Sequence, residues 1–217
     1  MRLAVFDLDN TLLAGDSDHL WGHWLVQNGA VDPQYYAREN DRFYREYQEG
    51  TLNIHEYAGF MLQPIVEKGL ELMLDLRRRF IRECIESIVA KGSRELLAQH
   101  RAAGDVLLIT TATNRFVAEP IVQLFGVEHL IATDPEIIGG QYTGRIEGTA
   151  NFQHGKVERM KNWLTANAYD GGGMTCYSDS HNDVPLLEMG DTAVAVDPDA
   201  RLRAIAEERG WRVISLR

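Results

Sequence analysis

Polar residues interrupt apolar runs of this chain in a pattern that could do chemistry. Asp7 and Asp9 follow the apolar residues 3–6, Thr111 follows residues 106–110, Lys156 stands near the start of a helical pattern, and Asp179, Asn182 and Asp183 follow residues 175–178. If the four aspartates converge, they repel: two unit charges about 4 Å apart cost roughly 4 kcal/mol at an effective dielectric near 20. A lysine and a divalent cation would relieve that repulsion. Oxygen-only ligands select a hard ion, and Mg²⁺ takes a few carboxylates together with waters and a substrate phosphate. Asp7 and Asp9 are two apart, so in an extended stretch they share a face. One can then attack as a nucleophile while the other moves a proton. Thr111 and Lys156 suit the charge that develops on a transferring phosphoryl group.

The elements that must position these residues are legible from periodicity. Short, almost wholly apolar runs at 3–6, 106–110, 175–178, 193–196 and 211–215 read as strands buried on both faces. Helical patterns lie between them at 93–103, with Ser93 as N-cap and Gly104 closing it, and at 155–167 and 199–209. Alternation of this kind predicts an α/β fold, an open doubly wound parallel sheet whose ligands sit beyond the carboxyl ends of the strands. Residues from about 18 to 88 break the alternation. They carry helical stretches near 20–28, 33–48, 54–61 and 70–88, and read as a helical subdomain inserted after the first strand. The division expected is a core of residues 1–16 and 89–217 and an insert of 17–88. Residues 139–146, with glycines at the turns, read as a hairpin.

Composition narrows the partners. The 217 residues carry a formal net charge of −10, which disfavours a nucleic-acid backbone as partner. The one basic run, Arg77-Arg78-Arg79, falls in a helical pattern and reads as a solvated face. Cys84 and Cys176 are far apart, lack metal-ligand spacing and read as reduced thiols. The apolar start is too short for a signal peptide, and no stretch approaches the roughly 20 apolar residues of a membrane span. A cytoplasmic protein acting on a small molecule is expected.

Four segments in order carry a resemblance to a known family: Asp7-Leu8-Asp9-Asn10-Thr11, Leu107-Leu108-Ile109-Thr110-Thr111, Lys156, and Ser178-Asp179-Ser180-His181-Asn182-Asp183. The chain resembles the phosphatase branch of the haloacid dehalogenase superfamily, with an insert like the small helical cap of its phosphoserine-phosphatase-like group. The resemblance implies a Rossmann-like core and a Mg²⁺-dependent phosphomonoesterase. It makes Asp7 the nucleophile and a metal ligand. Asp9 becomes the acid/base and a metal ligand through its backbone carbonyl. Asp179 completes the metal site, Asn182 and Asp183 support it, and Thr111 and Ala112 contact the substrate. The second aspartate separates the chain from the dehalogenases, which lack it. A phosphorylated receiver domain, a switch rather than an enzyme, shares the Asp, Thr and Lys but not Asp9 or the long insert.

The resemblance also bears on substrate. Phosphoserine phosphatases place an acidic residue nine positions past the nucleophile to meet the substrate ammonium, and Asp16 stands there. Asp is also a good helix N-cap. Their cap arginine, which pairs with the substrate carboxylate, has no counterpart in the same context; Arg38, Arg42 and Arg45 lie on a polar helix surface. A site with an ammonium partner and no carboxylate partner suits a phosphorylated amino alcohol, L-histidinol phosphate first. Phosphoserine, phosphocholine and phosphoethanolamine are the alternatives. Trp21, Trp24, Tyr35, Tyr36, Tyr44, Tyr47 and Tyr57 read mainly as packing of the insert, with stacking on a substrate cation as the second reading. His19 and His23 share a helical face but lack a third ligand in sequence and read as surface or core histidines; His181 reads as a loop residue or a substrate contact.

Overall fold

A computed structural model describes residues 2–217. The chain begins with strand β1 (Leu3–Asp7) and then leaves the sheet through an irregular turn in which Asn10 adopts φ 56°. Four helices follow: α1 (Ser17–Gln27), α2 (Pro33–Glu49), α3 (Ile54–Lys68) and α4 (Leu70–Phe80), the last continuing in irregular turns to Ile88. The excursion closes where it opened. Leu13 bridges Val89, Ala14 N–H donates to the Ile88 carbonyl (2.6 Å), and Ala90 N–H donates to the Leu12 carbonyl (3.0 Å). Then come α5 (Ser93–Ala102), β2 (Val106–Asn114), α6 (Arg115–Leu124), β3 (His129–Thr133), the hairpin β4 (Pro135–Ile138) and β5 (Gln141–Ile146), α7 (His154–Ala166), β6 (Met174–Ser178), α8 (Val184–Leu187), β7 (Thr192–Val196), α9 (Ala200–Arg209) and β8 (Arg212–Ile214).

The main sheet is parallel throughout, in the order β3-β2-β1-β6-β7-β8. Its two faces are buried by alternate residues of β1. Leu3 and Val5 pack with Met160 of α7, Leu186 and Leu187 of α8, and Leu202 of α9. Ala4 and Phe6 face the opposite way, into a core that contains Leu97 of α5 and Val117 and Ile121 of α6 and runs without a break into Trp21, Phe43, Phe60 and Phe80 of the four-helix excursion. Helices on both faces explain why the strands read as continuous apolar runs. The register sets Asp7 beside Thr110 and Phe6 between Ile109 and Tyr177, so the last residue of β1 opens onto the carboxyl edge with β2 and β6 as neighbours.

Several expectations change in detail. The edge strand β3 was not expected; it is short and pairs on one side only, with β2. Ser93 is not an N-cap: Gly92 holds that position, and the Ser93 hydroxyl donates to the Leu12 carbonyl (2.7 Å), fastening α5 to the stem of the excursion. Helix α3 runs on through Pro64 to Lys68. Arg77 is half-buried rather than solvated, donating to the Phe116 carbonyl with its guanidinium over the Phe116 ring, while Arg78 and Arg79 pair on the surface with Asp75 and Glu83. A hairpin forms where expected, but it begins earlier, at Pro135 rather than residue 139, so that Gly139 and Gly140 make its turn. Gly139 and Gly140 take φ of 59° and 80°, which a two-residue turn between twisted strands requires, and the hairpin packs against α3 rather than standing free. Cys84 and Cys176 are both unpaired. No helix among the described residues is long and apolar enough to cross a membrane.

One glycine ties the fold to its polar edge. A Cβ on Gly155, in the first turn of α7, would lie 2.0 Å from the backbone carbonyl oxygen of Ala150. Helix propensity alone would make Gly155→Ala stabilising by up to about 1 kcal/mol. The clash with backbone reverses the sign, and a loss of about 1–3 kcal/mol is expected, read as a lower urea midpoint. A midpoint at or above that of the unsubstituted chain would contradict this packing.

Candidate active site

Asp7 ends β1 with 3% of its surface exposed, and Lys156 comes to it from the first turn of α7 with 1% exposed. The Lys156 ammonium donates to Asp7 Oδ1 (2.7 Å) and to Asp183 Oδ2 (2.7 Å). The same Asp183 oxygen accepts from Ser178 Oγ (2.8 Å) at the end of β6. Thr11 Oγ1 lies 3.3 Å from Asp7 Oδ2 and 3.0 Å from Asp179 Oδ1, able to donate to one at a time, and it accepts the Asp179 N–H (3.0 Å). Two strand ends, those of β1 and β6, and one helix start thus meet around three carboxylates.

Asp9 has its own partners. Its Oδ1 accepts from Ser17 N–H (2.7 Å), and its Oδ2 accepts from the hydroxyls of Thr111 (3.1 Å) and Thr113 (2.8 Å). Asp7 and Asp9 therefore open on one cavity with separate sets of partners. Thr111 and Thr113, two apart in extended chain, present the same face; that spacing was the available signal for Thr113, which sequence reasoning passed over. Ala112, between them, also lines the cavity. Asn151 holds this strand end from behind: its side-chain NH₂ faces Thr110 Oγ1, the Thr111 carbonyl and the Ile131 carbonyl at 2.8–3.0 Å. It joins the loop before α7 to β2 and β3, so Lys156 and Thr111 are positioned by one buried amide.

Charge here is unbalanced. Burial pushes Asp7 up to about 7; Lys156 pulls it back, and Asp183 and Asp9 push it further up. Asp179 is raised well above the carboxylate range by burial and then by Asp7 and Asp183. Burial disfavours the charged Lys156, but Asp183 and Asp7 outweigh it and hold the ammonium charged. The one ammonium pairs with Asp7 and Asp183, and Asp9 and Asp179 add two further carboxylates around Asp7. The donors are all oxygen, and the surplus is negative, the setting that a hard divalent cation fits.

Above these groups the cavity is walled by the excursion. Asp16 caps α1, accepting from the N–H groups of Asp18 (3.1 Å) and His19 (2.8 Å). Burial, then Asp9, raises it to about 7. Asp18, 4% exposed, accepts from Asn114 Nδ2 (3.2 Å) and faces the Tyr57 hydroxyl; burial, then Asp16 and Asp9, raise it well above the usual range. Sequence reasoning missed Asp18, because an acid in a first helical turn is what the helix dipole favours anyway. Phe43, Tyr44, Tyr47 and Tyr57 complete the wall, with the His19 ring stacked on Tyr44 (centroids 4.2 Å apart). Trp21, Trp24 and Tyr36 pack within the insert. No lysine or arginine occurs among the described residues that line the cavity. Arg42 instead pairs with Glu39, Glu46 and Glu56, and Arg38 with Glu39.

Two residues lie outside this wall. The Asn182 amide donates to the Tyr47 carbonyl (2.9 Å) and accepts from Gln153 (3.0 Å), linking the strand-end loop to α2. His181 is held by Asp199 (2.8 Å) and Arg201 (3.2 Å).

Comparison with known proteins agrees with this architecture. The family model described as haloacid dehalogenase-like hydrolase matches residues 4–188. The chain is 39% identical over 222 residues to a protein named histidinol-phosphatase from Neisseria meningitidis serogroup C (strain 8013), covering 100% of this chain and 99% of that one. It is 31% identical over 217 residues to phosphoserine phosphatase SerB1 of Mycobacterium tuberculosis, covering 99% of this chain and 70% of that protein. Among solved structures, a protein of unknown function from Bordetella pertussis Tohama I superposes with a TM-score of 0.93 at 43% identity, covering 100% and 99% of the two chains. A phospho-aspartyl intermediate analogue of phosphoserine phosphatase superposes at 0.70 with 17% identity, covering 99% and 93%, a likeness of fold. On the family match and the relatives' identities, the chain belongs to the haloacid dehalogenase-like hydrolase family.

Proposed function

We propose that this phosphoric monoester hydrolase works through an aspartyl-phosphate on Asp7 in a Mg²⁺-dependent reaction, and that its substrate is a phosphorylated amino alcohol, L-histidinol phosphate first. The observation that carries the substrate reading is the cavity over Asp7, which holds two carboxylates, the half-buried Asp16 and the buried Asp18, and no lysine or arginine in its wall. A phosphoamino acid would bring a carboxylate with no cation to meet it and two aspartates to repel it. An amino alcohol brings the ammonium alone. Histidinol phosphate adds an imidazole whose ordinary pKa near 6.5 lets it carry a second positive charge, and Tyr44, Tyr57 and Phe43 offer faces for its ring. The 39% identity to a protein named histidinol-phosphatase supports the same choice. We take residues 17–88 as the cap over a core of 1–16 and 89–217.

In the reaction, an Asp7 carboxylate oxygen bonds to phosphorus while the bond to the alcohol oxygen breaks. Asp9 gives its proton to that departing oxygen. The hydroxyls of Thr111 and Thr113 can each turn from donor to acceptor, so they hold Asp9 in place in either protonation state. Asp9 then takes a proton from water, whose oxygen attacks phosphorus, freeing Asp7 and inorganic phosphate. Lys156 keeps Asp7 oriented through one N–H and Asp183 through another; Thr111 and Ala112, which line the cavity, would hold the phosphoryl oxygens, with the Lys156 charge behind Asp7 offsetting theirs. Asp7, Asp179 and the Asp9 carbonyl would hold Mg²⁺, with Asp183 and Asn182 supporting that side of the site. When bound, the ion offsets the surplus carboxylate charge and the charge of the phosphate.

Asp7→Asn should lower turnover of p-nitrophenyl phosphate by roughly three orders of magnitude or more, with no phosphoenzyme trapped by acid quench. Asp18→Asn, nearly isosteric, should raise KM for histidinol phosphate by about tenfold or more, equivalent to about 1.4 kcal/mol, while p-nitrophenyl phosphate is hydrolysed as before. Equal effects on both esters would remove Asp18 from recognition, and turnover of phosphoserine far above histidinol phosphate would overturn the substrate reading. Without metal, pH provides a further check. Asp7 and Asp16, raised from 3.8 to about 7, keep protons in the native state that the unfolded chain has already released. Across that window the native state binds more protons, so stability falls as pH rises. In EDTA the urea midpoint should drop between about pH 4 and pH 7, and Mg²⁺ should restore it at the upper end. A midpoint that climbs with pH in EDTA would contradict this.

A further inference from the structure

The pair His19 and His23 acquires in three dimensions the third ligand it lacked in sequence. Asp41, on α2, lies across from both histidines of α1. His19 Nε2 and His23 Nε2 are 3.0 Å apart, His23 Nε2 is 3.2 Å from Asp41 Oδ1, and His19 Nε2 is 3.8 Å from the same oxygen. Burial, with His23 beside it, lowers the proton affinity of His19, so this imidazole is neutral and its lone pair is available. With His19 neutral, hydrogen bonding alone serves the three atoms poorly. His23 Nε2 takes part in both short contacts. If it carries a proton, that proton is shared between His19 and Asp41; if it accepts from His19, its lone pair faces the Asp41 carboxylate. A single cation at the centre satisfies all three.

We propose that His19, His23 and Asp41 form a second metal site, separate from the carboxylate centre at Asp7, which takes a divalent transition cation of the Zn²⁺ class. The donor chemistry selects the ion: two imidazoles and one carboxylate suit Zn²⁺ and its neighbours rather than Mg²⁺ or Ca²⁺. The spacing fits as well. Ligands about 2.0–2.1 Å from a tetrahedral zinc are about 3.3 Å from one another, and the three observed separations bracket that value. Three protein ligands leave the fourth position to water.

The backbone beneath the site is already set. Asn40, next to Asp41, donates from Nδ2 to the His19 carbonyl (2.9 Å). Gly22, next to His23, lets α2 come this close: a Cβ there would lie 2.5 Å from Asn40 Oδ1. The two helices are therefore held at ligand distance before any ion arrives. The same ion would fix the ring of His19, which is stacked on Tyr44 in the cavity wall. The site is thus a clasp between α1 and α2 at the wall of the substrate cavity.

The test uses the full chain, stripped with EDTA, exchanged into buffer with excess Mg²⁺, and titrated with Zn²⁺ against a chromophoric chelator. Co²⁺ serves as a parallel spectroscopic probe. The Asp179→Asn chain, with its carboxylate centre disabled, separates the two sites. It should still take up one Zn²⁺, show the visible ligand-field band of tetrahedral Co²⁺, and melt at a higher temperature with Zn²⁺ than without. His23→Gln and Asp41→Asn, both at the partly exposed rim (side chains 37% and 51% exposed), should each weaken uptake by at least about tenfold and remove the Co²⁺ band and the thermal shift. Two substitutions guard against misfolding of either one, and circular dichroism verifies each. No uptake in the Asp179→Asn chain, or uptake that neither rim substitution changes, would overturn the proposal. Its outcome is independent of which phosphate ester the enzyme prefers.

Discussion

The buried ammonium of Lys156, held between Asp7 and Asp183, is the interaction on which the polar end of this molecule depends. A lysine with 1% exposure persists only because two carboxylates face it at 2.7 Å. Removing the Lys156 ammonium would leave both carboxylates without their cation in a low-dielectric interior, a loss of about 3–5 kcal/mol in comparable buried pairs. The arrangement in turn dictates where α7 begins. Gly155 lets that helix start against the Ala150 carbonyl, and Asn151 binds the preceding loop to β2 and β3. Sheet order then completes the convergence, since β1 lies between β2 and β6 and all three end at the same edge. A surplus of negative charge remains at that edge, the charge that the proposed cation would offset.

The residues at strand ends were legible in the sequence because two independent constraints coincide there: an apolar run must end, and chemistry in this class of sheet happens where it ends. Asp7, Asp9, Thr111, Asp179 and Asp183 follow from that coincidence. Contacts between separate elements were not legible. Asp18 looks like any acid at a helix start until Asn114, 96 positions away, is seen to donate to it. Asp41 looks like a surface acid until α2 crosses α1. Ser93 has the composition of a cap, but tertiary structure gave its hydroxyl to the Leu12 carbonyl. The edge strand β3 carries little periodic signal because only one of its sides is paired. Arg77 was misread because a triplet of arginines suggests solvent, while packing against Phe116 selects one of the three.

In the proposed reading, chemistry and selectivity are divided between two parts of the chain. The sheet edge supplies groups that any phosphate ester would need. The wall over it, built from α1, α2 and the start of α3, supplies Asp16, Asp18 and the aromatic faces. The apolar core runs through both parts without a break, so the wall and the sheet edge share one packed interior even though the wall's residues belong to a separate excursion. Asn182 adds a polar link between them through Tyr47 and Gln153.

The narrow stem at Leu13 and Val89 has a mechanical consequence. A pair of chains joined by so few hydrogen bonds would serve as a free hinge if it were the excursion's sole attachment. It is not, because the β4–β5 hairpin packs on α3, and its first strand begins two residues after edge strand β3 ends. The helices are thus anchored at the middle of the sheet and again at its rim. Two anchors on opposite sides turn a hinge into a slide. Admission of a ligand would proceed by helices shearing across apolar side chains, with the glycine-turned hairpin travelling alongside as an outrigger.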